Sequence, residues 1–235
     1  MKLIAEIGQN HNGDMGLAKE LIFAAKENGA DVAKFQVYDA KSLFPPKAVN
    51  EWFDYNCKTE LSRDQLQLLR EVCAKANIEF MVSVFDVERV SWMEELNVSE
   101  YKIASRSISD KPLLSALIAT KKHLIISLGH WKEKELPNIN SSAPISYLYC
   151  VSKYPTELTD LHLDKIDFQK TYHGFSDHTL GINASIAAIS RGAKIIEKHF
   201  TLNKTMYGPD HCCSMTPDEL KTIHEFRLEF AKMMS

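Results

Sequence analysis

The sequence predicts an α/β fold of the TIM (β/α)8 barrel type, and three observations carry that prediction. Eight short apolar runs are spread through the 235 residues, and amphipathic stretches separate most of them. Polar and charged residues recur inside these runs, towards their C-terminal ends. Strands that alternate with helices pair in parallel through right-handed crossovers, and eight such units fit a barrel with lean loops. A doubly wound open sheet is the alternative, but the chain has no G-x-G-x-x-G turn and no P-loop to support it.

Taken in order, the first strand spans residues 3–8 and leads through a polar loop holding His11 into a helix at 16–28. The second strand is 32–37. Residues 38–61 then show neither period and carry Pro45, Pro46, Trp52, Phe53, Tyr55 and Asn56. So long a stretch without a pattern points to a functional loop, and its aromatic content predicts an ordered lid or a partner contact. A helix at 63–76, a strand at 79–85, a helix at 87–96 and a strand at 101–104 follow. The next helix, 112–120, precedes the fifth strand at 123–129; the helical pattern over 131–139 is the weakest of the set. The sixth strand is 146–152, with a helix at 161–169 before the seventh at 173–177. A helix at 182–191, the eighth strand at 194–200 and a final helix at 217–233 complete the chain. No repeat, low-complexity tract or linker interrupts it, so residues 1–235 read as one domain.

With 45% hydrophobic and 25% charged residues the composition is that of a soluble globular protein. A chain of this length buries roughly 70% of its unfolded surface. The net charge of -3 provides no footprint for nucleic acid or an anionic membrane, so any bound anion should be small and held in a pocket. No apolar run approaches the roughly 18 residues of a membrane span, and Glu6 comes too early for a signal peptide. A cytoplasmic location is expected. Five cysteines without C-x-x-C spacing read as reduced thiols.

The chemistry lies in charges that a bland core would not contain. Alternate strand residues face opposite sides, so Ile4, Glu6 and Gly8 share one face, as do Lys34 and Gln36. Lys102, Ser127, Glu197 and His199 also sit within apolar strands, where burial without partners costs several kcal/mol. For any single residue a core ion pair, Glu6 with Lys34 for instance, explains the placement equally well. Jointly with His178 they suit the C-terminal mouth of a barrel, where such folds build their active sites. Two lysines with the hydroxyls of Ser83, Ser105, Ser127 and Ser176 suit a phosphate or carboxylate. His178 and His199 end neighbouring strands and can converge on a divalent ion such as Mn²⁺ or Zn²⁺, leaving positions for water and substrate. Asp210 in the next loop strengthens that reading. Glu197 is either a partner for a histidine N–H or part of a core ion pair.

At these residues a resemblance becomes visible. Ala5 through Gly13 (AEIGQNHNG), Lys34-Phe35-Gln36, Tyr101 through Ser105 (YKIAS) and Tyr154-Pro155-Thr156 are joined by three further motifs. These are Ser176 through Thr179 (SDHT), Glu197 through Thr201 (EKHFT) and Gly208-Pro209-Asp210. Together, in this order, they resemble the sialic acid (N-acetylneuraminate) synthase family over nearly the whole chain. The resemblance implies a TIM-barrel catalytic domain that condenses phosphoenolpyruvate with N-acetylmannosamine or a related acylamino sugar aldehyde. Phosphate is released and a nonulosonic acid is formed, which makes the enzyme a C–C bond-forming transferase. By position, Lys34, Ser83, Lys102, Ser105, Ser127 and Ser176 would hold phosphoenolpyruvate, with Ser152 and Tyr154 beside it. His178 and His199 would hold the metal, Mn²⁺ foremost, with Mg²⁺, Co²⁺ or Zn²⁺ as alternatives. Glu6, Gln36, Tyr154 and Asp210 would line the sugar site, and the catalytic set would be Glu6, Lys34, Lys102, Tyr154 and Asp210. A non-catalytic relative that binds a sugar or anion, and another sugar-phosphate barrel lyase, are the alternatives.

The chain departs from the family pattern at four strand mouths. Arg106-Ser107 stands where the family has a residue followed by glutamate, and Val82-Ser83-Val84-Phe85 replaces Ser-Thr-Pro-Phe. Ser127-Leu128-Gly129-His130 replaces Ser-Thr-Gly-Met, and Tyr149-Cys150-Val151 replaces His-Cys-Thr. Specificity is expected to be set here. The sequence ends at Ser235, after the last helix, where typical members continue into a small antifreeze-like domain that covers a dimer partner's site. The expectation is that a separate chain supplies the lid, that the sugar differs or that the site works more openly, with residues 38–61 the candidate substitute cover; a homodimer is also among the expected partners.

Overall fold

In a computed structural model, which describes residues 1–234, the eight expected strands close into a barrel in sequence order, every pair parallel. They are β1 Lys2–Gly8, β2 Val32–Val37, β3 Glu79–Val84, β4 Glu100–Ile103, β5 His123–Ser127, β6 Ile145–Cys150, β7 Gly174–Asp177 and β8 Ile195–His199. Two apolar layers hold the barrel. Outside it, Leu3, Ala33, Val82, Leu124, Phe175 and Ile196 pack against the helices. Inside, Ile4, Val32, Met81, Ile125, Leu148 and Ile195 form a separate cluster that fills the bore.

That inner cluster decides where the site begins. Two residues further along each strand, on the same face, stand Glu6, Lys34, Ser83, Ser127, Cys150 and Glu197, all lining one cavity. The bore is thus plugged with hydrocarbon below and floored with polar groups above.

The helices are α1 Met15–Glu27, α2 Ala40–Leu43, α3 Phe53–Lys58, α4 Arg63–Ala76, α5 Val87–Glu95, α6 Lys111–Ala119, α7 Asn183–Ser190 and α8 Pro217–Met233. Local chemistry starts most of them. Asp14, Asp39, Asp86 and Asp110 accept backbone N–H groups at their first turns. Ser62 with Gln65, and Thr216 with Glu219, form reciprocal capping boxes.

Three expectations need correction. Residues 131–139 form no helix: the run Lys132-Glu133-Lys134-Glu135 has no apolar face to bury, and Pro137 cannot continue a helix. Residues 161–169 form no α-helix either, only 3-10 turns at Leu158–Asp160 and Leu163–Lys165. There His162 takes a left-handed backbone (φ 45°), and the Asp167 carboxylate accepts from Gln169 N and Lys170 N, which competes with helical bonds. Conversely, residues 38–61 are not free of helix, because α2 and α3 lie within them. No described helix is long and apolar enough to cross a membrane.

Candidate active site

The inner cavity at the C-terminal mouth brings together Glu6, Lys34, Gln36, Ser83, Lys102, Ser105, Ser127, Tyr154, Ser176, His178 and His199. Its floor is a chain of alternating charges. The Lys34 ammonium lies 2.7 Å from Glu6 Oε2 and 3.4 Å from Glu197 Oε2, and donates to Ser83 Oγ at 3.1 Å. The Lys102 ammonium lies 3.5 Å from Glu197 Oε1 and donates to Ser127 Oγ at 2.7 Å. The Ser176 hydroxyl donates to Glu197 Oε1 at 2.8 Å, and Gln36 Nε2 to Glu6 Oε1 at 3.0 Å.

Burial and charge set the protonation states. Burial works against the charge on Lys34, but Glu197 and Glu6 outweigh it and hold its pKa above the usual lysine value. Lys102 goes the other way: burial, aided by Lys34, outweighs the pull of Glu197 and lowers its pKa. Burial would raise the Glu197 carboxyl, yet Lys102, Lys34 and the Ser176 hydroxyl bring it down to about 2. Glu197 therefore stays ionised as a fixed counter-charge between the lysines. The sequence left open a histidine partnership for Glu197, and the geometry makes it an ion-pair partner of lysines instead.

The two histidines face each other across one corner of this cavity, ring centroids 5.8 Å apart, with the Tyr154 ring 4.2 Å from that of His178. Burial, then the neighbouring His199, lowers the His178 pKa to about 3, so its imidazole is neutral at pH 7. Its Nδ1 lies 3.3 Å from the Val151 carbonyl; donating there leaves the Nε2 lone pair available. His199 Nδ1 is buried without a hydrogen-bond partner, 3.8 Å from Asp210 Oδ2. An orphaned buried nitrogen beside a neutral imidazole suits a divalent ion. Among the described residues no group of three or more His, Cys, Asp or Glu is gathered for one, so two imidazoles would leave most positions open.

An outer cavity of about 520 Å³ continues from this corner, sharing Gln36, Ser105, Tyr154 and His199 and adding Ser152 and Asp210. Residues 38–61 build one wall with Leu43, Phe44, Asn50, Trp52 and Asn56. That segment is anchored: the Tyr55 hydroxyl lies 2.7 Å from Asn12 Oδ1 and 2.9 Å from Gln9 O, two acceptors for its one proton, and Trp52, Tyr55 and Tyr207 pack ring against ring. The segment is ordered, as its aromatic content predicted, and it forms a side wall of the cavity. Gly129 keeps the opposite wall open. A methyl group there would sit 2.4 Å from Ser152 Oγ and 3.0 Å from Ser105 Oγ.

A family profile described as the NeuB family matches residues 21–235. The chain belongs to the NeuB family. It is 37% identical over 247 residues to the N,N'-diacetyllegionaminic acid synthase of Campylobacter jejuni, covering 94% of this chain and 73% of that protein. It is 34% identical over 242 residues to the human N-acetylneuraminate-9-phosphate synthase, covering 94% and 67%. Among solved structures, an N-acetylneuraminic acid synthetase from Leptospira borgpetersenii superposes with a TM-score of 0.93 at 32% identity, covering 99% of this chain and 84% of that one. The NeuB-family barrel is thus N-acetylneuraminate synthase-like in sequence and fold.

Every residue given a site role in the sequence of this NeuB-family chain lines one of the two connected cavities, while several lining residues were given none. Cys150 sits on the floor, 3.8 Å from His178 Nδ1, with burial pushing its thiol up to about 11. Lys198 also reaches the floor, but its ammonium is committed to Asp177 (3.3 Å) and the Thr179 carbonyl. Glu197 was visible as the same-face neighbour of His199; Arg106 and His130 gave no periodic signal because they follow strand ends. Ser107, in the place of the family glutamate, is buried and lines neither cavity. A larger cavity of about 810 Å³ lies at the other end of the barrel, beside His173 and Lys194 just ahead of β7 and β8. Size alone does not mark the site; the convergence of buried charge does.

Proposed function

We propose that this barrel condenses phosphoenolpyruvate with an acylamino sugar aldehyde to give a nonulosonic acid and phosphate. The observation that supports it is the buried floor of Lys34, Lys102 and four hydroxyls, meeting the imidazoles of His178 and His199 at the edge of a sugar-sized cavity. Relatives in the same family are named as synthases of legionaminic, N-acetylneuraminic 9-phosphate and pseudaminic acids. In the proposed complex Lys34 and Lys102 offset the carboxylate and phosphate of phosphoenolpyruvate, and Ser83, Ser105, Ser127 and Ser176 orient it, with Ser152 beside it. Tyr154, Gln36 and Asp210 position the sugar. C3 of phosphoenolpyruvate attacks the aldehyde carbon, water adds at C2, and phosphate departs. Glu6, poised between Lys34 and Gln36, takes the proton of that water, because Glu197 is held too acidic to serve. A divalent ion, Mn²⁺ foremost, would be held by His178 and His199 and would supply Lewis acidity at the aldehyde oxygen.

The test is phosphate release from phosphoenolpyruvate with Mn²⁺ and a panel of acylamino-hexoses. The expected result is release that requires a sugar and stops on chelation. No release with any acceptor, while phosphoenolpyruvate still binds, would turn the reading towards a binding protein.

A further inference from the structure

The outer cavity contains a cation that none of the chemistry above uses. Arg106 follows β4 by three residues and rises from the turn that begins at Ser105. Its Nη2 donates to the Leu43 carbonyl at 3.2 Å, and its guanidinium carbon lies 5.4 Å from the centroid of the Phe44 ring. These contacts aim the group but satisfy few of its five N–H donors. Among the described residues no carboxylate lies within ion-pair distance of it. Asp210, the one carboxylate lining the outer cavity, stands by His199 instead. The guanidinium lines the outer cavity and not the inner one, so it is not part of the phosphoenolpyruvate floor. In the closed ring of eight strands β4 lies opposite β8. His199 and Arg106 line the same outer cavity, so an acceptor whose reacting carbon sits by His199 shares that cavity with the guanidinium.

We propose that Arg106 selects an acceptor sugar bearing an oxyanion, a phosphate or a carboxylate, at the end remote from its aldehyde. The proposal rests on the synthase reading above and names the substrate class for the same site. An unpaired, aimed guanidinium is the group best matched to such an oxyanion, since its parallel N–H bonds engage two oxygens at once. A neutral sugar end would leave those donors to water. The competing explanation is that Arg106 only clamps the Leu43–Phe44 wall, and it makes a different prediction. A clamp would affect all acceptors alike.

The experiment compares N-acetylmannosamine, its 6-phosphate and the corresponding 6-carboxylate as acceptors for the full chain and for Arg106→Gln and Arg106→Lys. The expected result is that the wild type favours one anionic acceptor over the neutral sugar in kcat/KM. Arg106→Gln should raise KM for that acceptor about 10- to 100-fold, the loss of a charge-assisted hydrogen-bonded pair. Arg106→Lys should restore part of it, and KM for phosphoenolpyruvate should move much less. Which anion gains tells phosphate from carboxylate. Preference for the neutral sugar, equal losses on all acceptors, or a matching rise in the phosphoenolpyruvate KM would overturn the proposal and leave the synthase reading standing. If no acceptor turns over, calorimetric binding of the 6-phosphate and 6-carboxylate decides. Tighter binding of either to wild type than to Arg106→Gln supports the assignment, and equal or absent binding of both refutes it.

Discussion

Glu197 sits between two buried ammonium groups and is itself almost wholly enclosed, so its charge is structural as well as electrostatic. Replacing Glu197 with glutamine leaves Lys34 and Lys102 with Glu6 as their remaining nearby carboxylate. Breaking a buried pair in this way costs about 3–5 kcal/mol. Urea unfolding at pH 7 should show a loss of that size, whereas a loss below about 1 kcal/mol would mean that the floor relaxes without it. Residues of this kind were legible from parity alone: Glu6, Lys34, Lys102 and His199 interrupt apolar strands where only the barrel interior can receive them. Arg106 was legible as a departure from a pattern, but not as a ligand contact. Its direction is set by a 3-10 turn and by Leu43 and Phe44, which are more than sixty residues away in sequence.

β7 leads directly into His178 and β8 ends on His199, and the spacing of the two strands depends on Gly174 at the start of β7. A Cβ there would lie 2.1 Å from the Ile195 carbonyl, an atom of the sheet itself that cannot turn aside. Gly174→Ala should therefore force the strands apart and cost roughly 3 kcal/mol, at the upper end for overpacking. Thermal or urea unfolding measures it, and an unchanged midpoint would show that the pair tolerates a wider spacing. The strands themselves were readable because a period of two with β-branched residues survives in almost any packing. The crossovers were less so. The β5–β6 and β6–β7 connections looked weakly or moderately helical, but Pro137, the charged run before it and the aspartate turns around His162 favour local bonds over a helix. Residues 38–61 were read as an ordered lid or partner contact; they are ordered and wall the outer cavity, while α2 and α3 within them are too short to leave a periodic trace.

Across the whole molecule, three buried imidazoles couple stability to pH. Burial lowers His11 to about 4, burial and His199 lower His178 to about 3, and burial lowers His211 to about 4, all from 6.5. The unfolded chain thus binds protons below pH 6.5 that the folded chain refuses. Their contribution is fully present above 6.5 and is lost as pH falls towards 3–4. Chemical denaturation should show stability dropping between pH 7 and pH 5, by up to about 1.4 kcal/mol per pH unit for each imidazole once well below its unfolded pKa. Stability that stays flat over that range would contradict the neutral assignment. Glu197, lowered to about 2, adds acid sensitivity only below 4.5.

By itself the sequence determined the eight-strand α/β alternation, the inward charges and the family motifs, because each is written in local period and residue type. The tertiary structure alone decided how those charges pair, with Glu197 turned to the lysines and His199 left unpartnered. It alone decided that residues 38–61 wall the outer cavity and that Arg106 faces it without a carboxylate. The physical reason is range. Periodicity reports which face a residue takes on its own strand, whereas partner and direction depend on atoms that only ring closure brings within a few ångströms.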